Sequence, residues 1–393
     1  MIRPFASLGL SLGLAFSSLV IPLPSARASD LPLRSVSLSD LSPEEQARFG
    51  LDDRLWGTAS DRQALLTAIN YSLNYLTTDK ASEAYANYPV QGITRDRVRR
   101  SLERFRDLVQ TSASAADLQA AILREFELYE SVGNDGLGTV HFTGYFEPIY
   151  AASRVPTADY RYPLYRRPPT LEQWTDPHPT RIQLEGTDGL QGSQGPLRGL
   201  ELVWLRDRLE AFLVQVQGSA RLQLTDGTMM SVSYHGRTNY DYTSLGRELV
   251  NAGIYTLDEL TLPLVIQYFK DHPEALSTYI PRNNRFVFFR ETDGGAPNGT
   301  LEFPVTAERT VATDKAIMPM GALAIIHLDL PIVAADASLE TRPVSRFVLN
   351  QDTGGAIQGP GRVDLFMGTG SIAGDRAGLM NSDGQLYFLL LKE

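Results

Sequence analysis

The sequence predicts a mainly β chain with helices near its N-terminus, an α+β fold with two barrel-like or sandwich domains. Between about residues 60 and 130, apolar residues recur at the spacing of amphipathic helices. Beyond that region, short runs of β-branched and aromatic residues alternate with turns rich in Pro and Gly. The 393 residues suffice for two domains with a core in each. One helical region followed by a β-rich middle and a β-rich end is typical of an α+β chain.

Three helices are predicted in the first part of the chain. Ser60 followed by Gln63 resembles a capping box at the start of the first helix. The second helix is predicted over residues 94–109 and the third over residues 114–129, because both ranges place apolar residues on one face. We interpret these faces as packing surfaces between helices.

The rest of the chain is predicted to form strands and turns, with two further helices. The first strand is expected at residues 139–146. The helices are expected at residues 244–252, with Ser244 as a candidate N-cap, and at residues 256–269. From residue 299 to the end we expect only strands and turns. The other predicted strands are 200–206, 210–217, 220–225, 229–234, 285–290, 322–328, 345–350, 362–366 and 385–391.

The composition excludes several classes of function. The net charge of −10 makes the chain a poor candidate for binding nucleic acid, which requires a basic surface. The arginines between Arg95 and Arg100 are interpreted as the solvated face of a helix. The chain contains no cysteine, which excludes disulfides, thiolate metal ligands, cysteine nucleophiles and lipid attachment through a cysteine.

Residues 1–28 resemble a secretory signal peptide. Arg3 supplies a positive charge, residues 5–21 are uncharged and mostly apolar, and residues 26–28 fit a cleavage site. We expect cleavage after Ala28. An uncleaved membrane anchor is the alternative, although the apolar span is short for one.

Two aspartates, Asp352 and Asp364, lie twelve residues apart in the segment QDTGGAIQGPGRVDLFMGTG, residues 351–370. Asp364 is flanked by apolar residues on a predicted strand, so desolvation is expected to raise its pKa. A protonated carboxyl of this kind can protonate the leaving oxygen of a glycosidic bond. For Asp352, at the start of a glycine-rich turn, hydrogen bonding to nearby backbone N–H groups is the alternative role. Asp375 is interpreted as a turn residue or an ion-pair partner.

No metal site and no cofactor are predicted. The spacing of the three aspartates does not fit an EF-hand loop, and the five histidines are scattered along the chain. The glycines of residues 368–374 superficially resemble a dinucleotide-binding loop. They lack the long helix and the βαβ context that such a loop requires.

Two further clusters combine polar side chains with glycine. In TGYFEP, residues 143–148, Tyr145 is a candidate platform for stacking on a sugar, and Glu147 is a candidate for orienting a hydroxyl or an arginine. A strand-ending turn is the alternative. QGSA, residues 217–220, follows the predicted strand 210–217 and offers the amide, hydroxyl and backbone groups that suit a sugar. A plain β-turn is the alternative there.

Five segments of the chain carry a family resemblance when they are taken together and in order. They are TGYFEP (143–148), VWLRDRLEAFLVQVQGSA (203–220), GRTNYDYTSLGREL (236–249), NNRFVFFRE (283–291) and DTGGAIQGPGRVDLFMGTG (352–370). From about residue 59 to residue 391, the chain resembles the membrane-bound lytic murein transglycosylase A family.

The resemblance implies a double-psi β-barrel domain with a second, smaller β-barrel domain inserted into it. Residues 29–150 and 300–393 would form the first domain, and residues 151–299 the inserted one. The C-terminal piece would be a 3D domain, named for three aspartates, of which Asp375 would be the third. A substrate groove would run between the barrels, with TGYFEP and QGSA on opposite sides.

The resemblance further implies that Asp364 is a single catalytic acid and base. It would protonate the oxygen between MurNAc and GlcNAc, and then accept a proton from the C6 hydroxyl of the same MurNAc. That hydroxyl would close on C1 and leave a 1,6-anhydro end, while Asp352 would stabilise positive charge or position the sugar. The residues expected to hold the glycan are Thr143, Gly144, Tyr145, Glu147, Gln217, Gly218, Ser219, Gly355 and Ala356.

Two other functions stay open at this point. One is an inverting hydrolase with Asp364 as acid and Asp352 as base, and the other is a glycan-binding module without catalysis. The expected partners are peptidoglycan glycan strands and a cell-wall synthesis complex, with no nucleic acid and no lipid anchor. The expected location is the periplasm, in association with the outer membrane or the wall.

Overall fold

Two β-sheets form the framework of the protein. The computed structural model describes residues 31–57, 60–257 and 259–393. The predicted signal peptide, residues 1–28, lies outside the described residues. Among the described helices, none combines the length and the apolar character that crossing a bilayer requires.

The strands and helices of the described residues are as follows. The strands are β1 (Leu33–Val36), β2 (Phe126–Ser131), β3 (Val140–Glu147), β4 (Ile149–Ser153), β5 (Tyr162–Tyr165), β6 (Glu201–Leu205), β7 (Ser219–Leu224), β8 (Met229–Arg237), β9 (Val287–Thr292), β10 (Thr310–Ala312), β11 (Leu323–Val333), β12 (Leu339–Asp352), β13 (Arg362–Thr369) and β14 (Asn381–Leu391). The helices are α1 (Pro43–Arg48), α2 (Arg62–Tyr75), α3 (Asp79–Ala86), α4 (Arg95–Thr111), α5 (Ala115–Glu125), α6 (Arg181–Glu185), α7 (Arg208–Gln217), α8 (Leu245–Asn251), α9 (Leu262–Asp271), α10 (Leu276–Tyr279) and α11 (Ser371–Leu379).

The first sheet closes into a six-stranded barrel. Its strands follow the order β14, β11, β12, β10, β13 and β3, and β3 pairs in turn with β14, which completes the ring. The pairs β10–β12 and β13–β3 are parallel. The N-terminal helices pack against this barrel through their apolar faces, as in the contact between Phe105 of α4 and Phe347 of β12, whose ring centroids lie 4.8 Å apart.

The first sheet has eight strands, because β2 and β1 extend it from β14, whereas the second sheet has six, in the order β5, β6, β4, β7, β8 and β9. A parallel β-bridge between Arg166, which follows β5, and Phe289 of β9 joins its two edges. Its interior holds a separate apolar core that includes Val203, Leu222 and Val232. The second sheet is therefore a small barrel with a core of its own.

The chain enters the second sheet between β3 and β4 and returns to the first between β9 and β10. The predicted fold class, mainly β with N-terminal helices and an inserted barrel, is confirmed. The contacts among residues 31–393 form one compact unit. The predicted domain limits, 29–150 with 300–393 and 151–299, remain a prediction.

The predicted strand at residues 210–217 is wrong, because this run forms most of helix α7. A short apolar run fits a buried strand and a buried helix equally well, and the flanking residues decide here. The Asp207 side chain caps the start of α7 by accepting from the backbone N–H groups of Leu209 and Glu210. Gly218 ends the helix with a φ of 79°, a left-handed conformation that glycine adopts without strain.

Other element predictions fail for related reasons. The helix predicted over 114–129 ends at Glu125, and the next residues form β2, which pairs with β14 and β1. Helix α2 begins after Asp61, so Ser60 is not its N-cap residue, although the Ser60 hydroxyl accepts from the Arg62 N–H at 3.3 Å. Helix α11 interrupts the predicted all-strand C-terminal part. Its glycines are unfavourable in a helix but allow close packing, since a Cβ at Gly374 would lie 2.7 Å from the Phe146 ring.

Candidate active site

Four neighbouring strands bring both aspartates to one face of the first barrel. Thr143 of β3 pairs with Asp364 of β13. Asp364 also pairs with Ala312 of β10, which pairs in turn with Asp352 of β12. Directly paired residues project their side chains to the same face of a sheet. The two carboxyls therefore stand on either side of the Ala312 methyl group, with Cα atoms two strand spacings, about 10 Å, apart.

Asp364 is a half-buried carboxyl with few hydrogen bonds. Within the described residues, its Oδ1 atom accepts one, from the Thr143 hydroxyl at 3.0 Å. Burial raises the pKa of Asp364 to about 6; Thr143 and Arg362 oppose this effect, and Asp352 adds to it. Such a carboxyl can hold a proton near neutral pH, and its second oxygen is not engaged by a described residue.

Asp352 is held in a different way, because four hydrogen bonds converge on its carboxyl. Its Oδ1 atom accepts from the Thr300 N–H at 2.9 Å, the Thr300 hydroxyl at 3.0 Å and the Thr353 N–H at 2.8 Å. Its Oδ2 atom accepts from the Tyr145 hydroxyl at 2.8 Å. Burial raises the pKa of Asp352, and these donors oppose the rise. Both oxygens are thus occupied by fixed donors.

Tyr145 lies on the same strand face as the two carboxyls and donates a hydrogen bond to Asp352. Its ring packs against Phe366 with the centroids 5.1 Å apart. Burial raises the pKa of Tyr145, and the charges of Asp352 and Asp364 raise it further. The hydroxyl therefore keeps its proton and donates it in the hydrogen bond to Asp352.

Two residues that the sequence analysis did not select complete the surroundings of the carboxyls. Arg362 donates from Nη2 to the Thr143 hydroxyl at 3.3 Å, while that hydroxyl donates to Asp364. The two-residue period of a strand could have identified Arg362, because it places residues 362 and 364 on one face. Thr300 lies 52 residues from Asp352 in sequence, and no local pattern points to it.

Glu147 lies below the surface, with 1% of its area exposed. Its Oε2 atom accepts from Arg221 Nε of β7 at 2.8 Å and from the Thr369 hydroxyl of β13 at 2.7 Å. It thus orients an arginine and a hydroxyl, as predicted, and ties the second sheet to the first. Its burial contradicts the predicted direct contact with a glycan.

The QGSA segment forms the C-terminal cap of α7 and the start of β7, in place of a β-turn. Gln217 Oε1 accepts from the Phe146 backbone N–H at 3.1 Å, so QGSA lies against TGYFEP and not across a groove from it. Gly218 is partly exposed, whereas Ser219 is buried with 6% of its area exposed. Gln217 and Gly218 are therefore the members of this segment that present polar groups to solvent.

Gly144 and Asp375 are explained by helix α11. A Cβ at Gly144 would lie 2.9 Å from the Cα of Ala377 in α11, so glycine is needed for the helix to pack on β3. Asp375 is exposed on the same helix and forms no ion pair with a described residue. It is a helical residue, contrary to the predicted turn or ion-pair role.

The turn after Asp352 exposes Gly355 and Ala356 to solvent. The guanidinium of Arg285, which precedes β9 in the second sheet, lies directly against Gly355, where any Cβ would collide with its Nη1 atom. The turn is therefore the place where the two barrels approach each other next to the carboxyls.

The arrangement suits proton transfer at one carboxyl. Asp364 can donate a proton and accept it back, whereas Asp352 is a fixed charge or hydrogen-bonding anchor. In the part of the chain that the structure describes, no three His, Asp or Glu side chains are grouped so as to hold a metal ion.

Comparisons with protein families and curated sequences agree with each other. The sequence model of the MltA specific insert domain matches residues 141–290, and that of the 3D domain matches residues 309–390. The chain is 30% identical over 264 residues to a membrane-bound lytic murein transglycosylase A of Vibrio cholerae, covering 66% of this chain and 68% of that protein. It is 27% identical over 272 residues to the protein of that name from Escherichia coli K12, covering 68% and 70%.

Solved structures with the same fold include two proteins related to these. A membrane-bound lytic murein transglycosylase from Agrobacterium tumefaciens superposes with a TM-score of 0.70 and 25% identity, over 92% of this chain and 98% of that one. Escherichia coli MltA with bound chitohexaose superposes with a TM-score of 0.68 and 21% identity, over 93% and 97%.

Proposed function

This chain belongs to the membrane-bound lytic murein transglycosylase A family, and from that premise we propose that it is a lytic transglycosylase that cleaves the β-1,4 bond between MurNAc and GlcNAc in peptidoglycan. The product would end in 1,6-anhydro-MurNAc. The observation that carries the proposal is the state of Asp364, a carboxyl with a pKa near 6 and one oxygen free of described partners.

One residue is sufficient for both proton transfers. Protonated Asp364 gives its proton to the bridging oxygen as the bond from that oxygen to MurNAc C1 breaks. The resulting carboxylate takes the proton of the C6 hydroxyl as O6 bonds to C1, so Asp364 ends protonated and no water is consumed. Because the nucleophile belongs to the substrate, its effective concentration is high and no second base is needed to activate water.

The surroundings of Asp352 favour this mechanism over an inverting hydrolase. A hydrolase would need Asp352 as a base that accepts a proton from water. Four donors already occupy the oxygens of Asp352, so its role in this proposal is to stabilise developing positive charge on the sugar ring. Tyr145 and Thr143, on the same face, then line the sugar site.

We also propose an envelope location for the protein. The curated relatives carry "membrane-bound" in their names, and this chain contains no cysteine that a lipid could modify. Export through residues 1–28 to the periplasm accounts for access to peptidoglycan. A cell-wall synthesis complex stays a prediction from the resemblance.

Mass analysis of the products from purified sacculi tests the proposal. We expect soluble fragments ending in 1,6-anhydro-MurNAc, each lighter by one water than the corresponding reducing fragment. Fragments with a reducing MurNAc end would indicate the hydrolase, and tight binding without soluble products would indicate the glycan-binding module.

The activity is expected to fall as pH rises through about 6, because Asp364 must start protonated. Thr143→Val removes the hydroxyl that stabilises the carboxylate, so the pKa of Asp364 should rise and the falling limb of kcat/KM should move to higher pH. Thr143→Ser, which keeps the hydroxyl, should leave the limb in place. An unmoved limb in the valine variant would show that this hydrogen bond does not set the profile.

A further inference from the structure

Arg285 is a buried arginine that reaches from one barrel to the other. It precedes β9 of the second sheet, has 7% of its area exposed, and lies against Gly355 in the turn of the first barrel. Gly355 follows Asp352 by three residues, so their Cα atoms are at most about 11 Å apart. The guanidinium therefore lies against the turn that follows Asp352.

The donors of Arg285 are only partly used. Its Nε atom donates to the Tyr240 carbonyl at 2.9 Å. Neither Nη1 nor Nη2 donates to a described residue, and no described carboxylate forms an ion pair with this guanidinium. Among the described residues, in contrast, the most deeply buried arginines are paired with carboxylates: Arg97, Arg181, Arg309 and Arg346.

A second arginine shares the same carbonyl. Arg237, which is exposed at the end of β8, donates from Nη1 to the Tyr240 oxygen at 3.2 Å. Two cations that bind one oxygen repel each other, and burial together with Arg237 lowers the pKa of Arg285; Asp241 and two tyrosines partly offset this effect. An anion that bridged the two guanidiniums would relieve the repulsion and fill the free donors.

Arg208 is the other buried arginine with free donors, and it makes a useful contrast. Its Nε and Nη2 atoms lack partners among the described residues, but the pocket that Arg208 lines has only about 10 Å³ of space, which is the size of a single water. Arg285, in contrast, lies against a solvent-exposed turn, where a group of a larger ligand has access.

We propose that Arg285 and Arg237 form a carboxylate-binding subsite beside the catalytic groove, which recognises an acidic group of the murein strand. The inference rests on the proposed function. Murein carries carboxylates at the lactyl group of MurNAc, where the peptide is absent, and on the peptide, where it is present. A chitin oligosaccharide carries neither, so the subsite would make the enzyme favour murein over a neutral glycan of the same backbone.

Affinities measured in an Asp364→Asn background, which prevents turnover, test the subsite. The three probes are peptide-free murein glycan, peptide-bearing murein glycan and chitohexaose. Arg285→Gln is expected to weaken binding of a carboxylate-bearing glycan by about tenfold or more and to change chitohexaose binding by less than about twofold. Added salt should reduce the affinity of the parent protein for murein glycan and leave that for chitohexaose unchanged.

The two murein probes separate the sources of the carboxylate. If Arg285→Gln binds the peptide-free glycan more weakly, the lactyl group is the carboxylate that is recognised. If the loss of affinity is confined to the peptide-bearing glycan, the carboxylate belongs to the peptide. Arg100→Gln removes the same charge from the exposed face of α4 and should change none of the affinities.

Arg237→Gln extends the test to an exposed position, so that a folding defect in the Arg285 variant cannot decide the outcome. The subsite is refuted if both variants bind the murein glycans as tightly as the parent protein. That result leaves the proposed function intact, provided that the wild type still releases anhydro products from sacculi. Absence of those products would instead overturn the proposed function and this inference with it.

Discussion

Asp364→Asn is expected to lower the release of anhydro products from sacculi by about a thousandfold or more. An amide cannot protonate the bridging oxygen, and it cannot accept the proton of the C6 hydroxyl. General acid and base catalysis contribute about 10²–10⁴-fold in typical enzymes, and here both steps depend on one side chain. The substitution keeps the size of the side chain, so the loss of activity can be attributed to the missing proton transfer and not to a change in packing.

Asp375→Asn is the matched control for this change. It makes the same chemical replacement in the same C-terminal region, but on the exposed surface of α11, away from the strand face that holds the carboxyls. Its activity should stay within about twofold of the wild type. If Asp364→Asn kept more than about a tenth of the wild-type activity, Asp364 would not be the acid and base of the mechanism.

The same variant has an expected effect on stability that separates lost chemistry from lost folding. The pKa of Asp364 is raised from 3.8 to about 6 in the folded protein. The folded state therefore binds this proton more tightly than the unfolded state, and its contribution to stability is lost as pH rises from about 4 to about 6. Above that range, Asp364→Asn should raise the free energy of unfolding, by up to about 3 kcal/mol.

Chemical denaturation at pH 4 and pH 8 measures this difference. The gain should be present at pH 8 and small at pH 4, where the wild-type carboxyl is protonated in the folded state and about half protonated in the unfolded state. An inactive variant that is more stable at pH 8 would identify a residue whose environment favours function over stability. An inactive variant that is less stable at both pH values would indicate a structural defect.

The sequence predicts the two aspartates as a pair, but it does not predict how they differ. Burial in the folded protein raises the pKa of Asp364, in the direction that its apolar neighbours in the sequence predict. The carboxylate of Asp352 accepts hydrogen bonds from Thr300 and Tyr145, and these two residues come close to it only because the barrel closes. The sequence also does not predict the register that places Ala312 between Asp352 and Asp364. The strand concerned, β10, has only three residues, and it pairs with one neighbour in parallel and with the other antiparallel.

The predictions that fail share a physical cause, which is that distant residues decide the local conformation. Residues 126–131 continue an amphipathic pattern, yet pairing with β14 and β1 makes them a strand. Glu147 is among the residues that the sequence analysis expects to hold the glycan, yet it is buried. Its burial follows from Arg221, which belongs to the other sheet and provides the opposite charge at 2.8 Å.

Asp52→Ala is expected to lower the free energy of unfolding by about 3–5 kcal/mol, which is the largest stability effect that we predict. Asp52 pairs with Arg309, and both side chains are completely buried. Asp52 also accepts the backbone N–H of Phe347 in β12 at 2.8 Å. Removing its carboxylate leaves a buried cation with one acid fewer and a buried N–H group without a partner, and broken buried pairs cost about this much.

The position of this pair links stability to the active site. Arg309 directly precedes β10, and its guanidinium also donates to the Phe347 carbonyl at 2.8 Å. β10 in turn carries Ala312, which lies between Asp352 and Asp364. Asp52→Ala should therefore lower activity as well, since it loosens the strand that sets the separation of the two carboxyls.

Two comparisons in urea denaturation make the Asp52 prediction specific. Asp96→Ala removes an exposed acid of α4 that pairs with Arg99 and Arg100, and it should lower the free energy of unfolding far less than Asp52→Ala does, because solvent screens exposed ion pairs. The double variant Asp52→Leu with Arg309→Met replaces the pair by apolar groups and should be more stable than Asp52→Ala alone, because it removes the buried guanidinium, while Asp61 keeps its ion pair with Arg54 at 3.8 Å. If the single variant lost less than about 1 kcal/mol, Asp61 alone would be sufficient to neutralise Arg309, and residues 31–57 would not stabilise the barrel through Asp52.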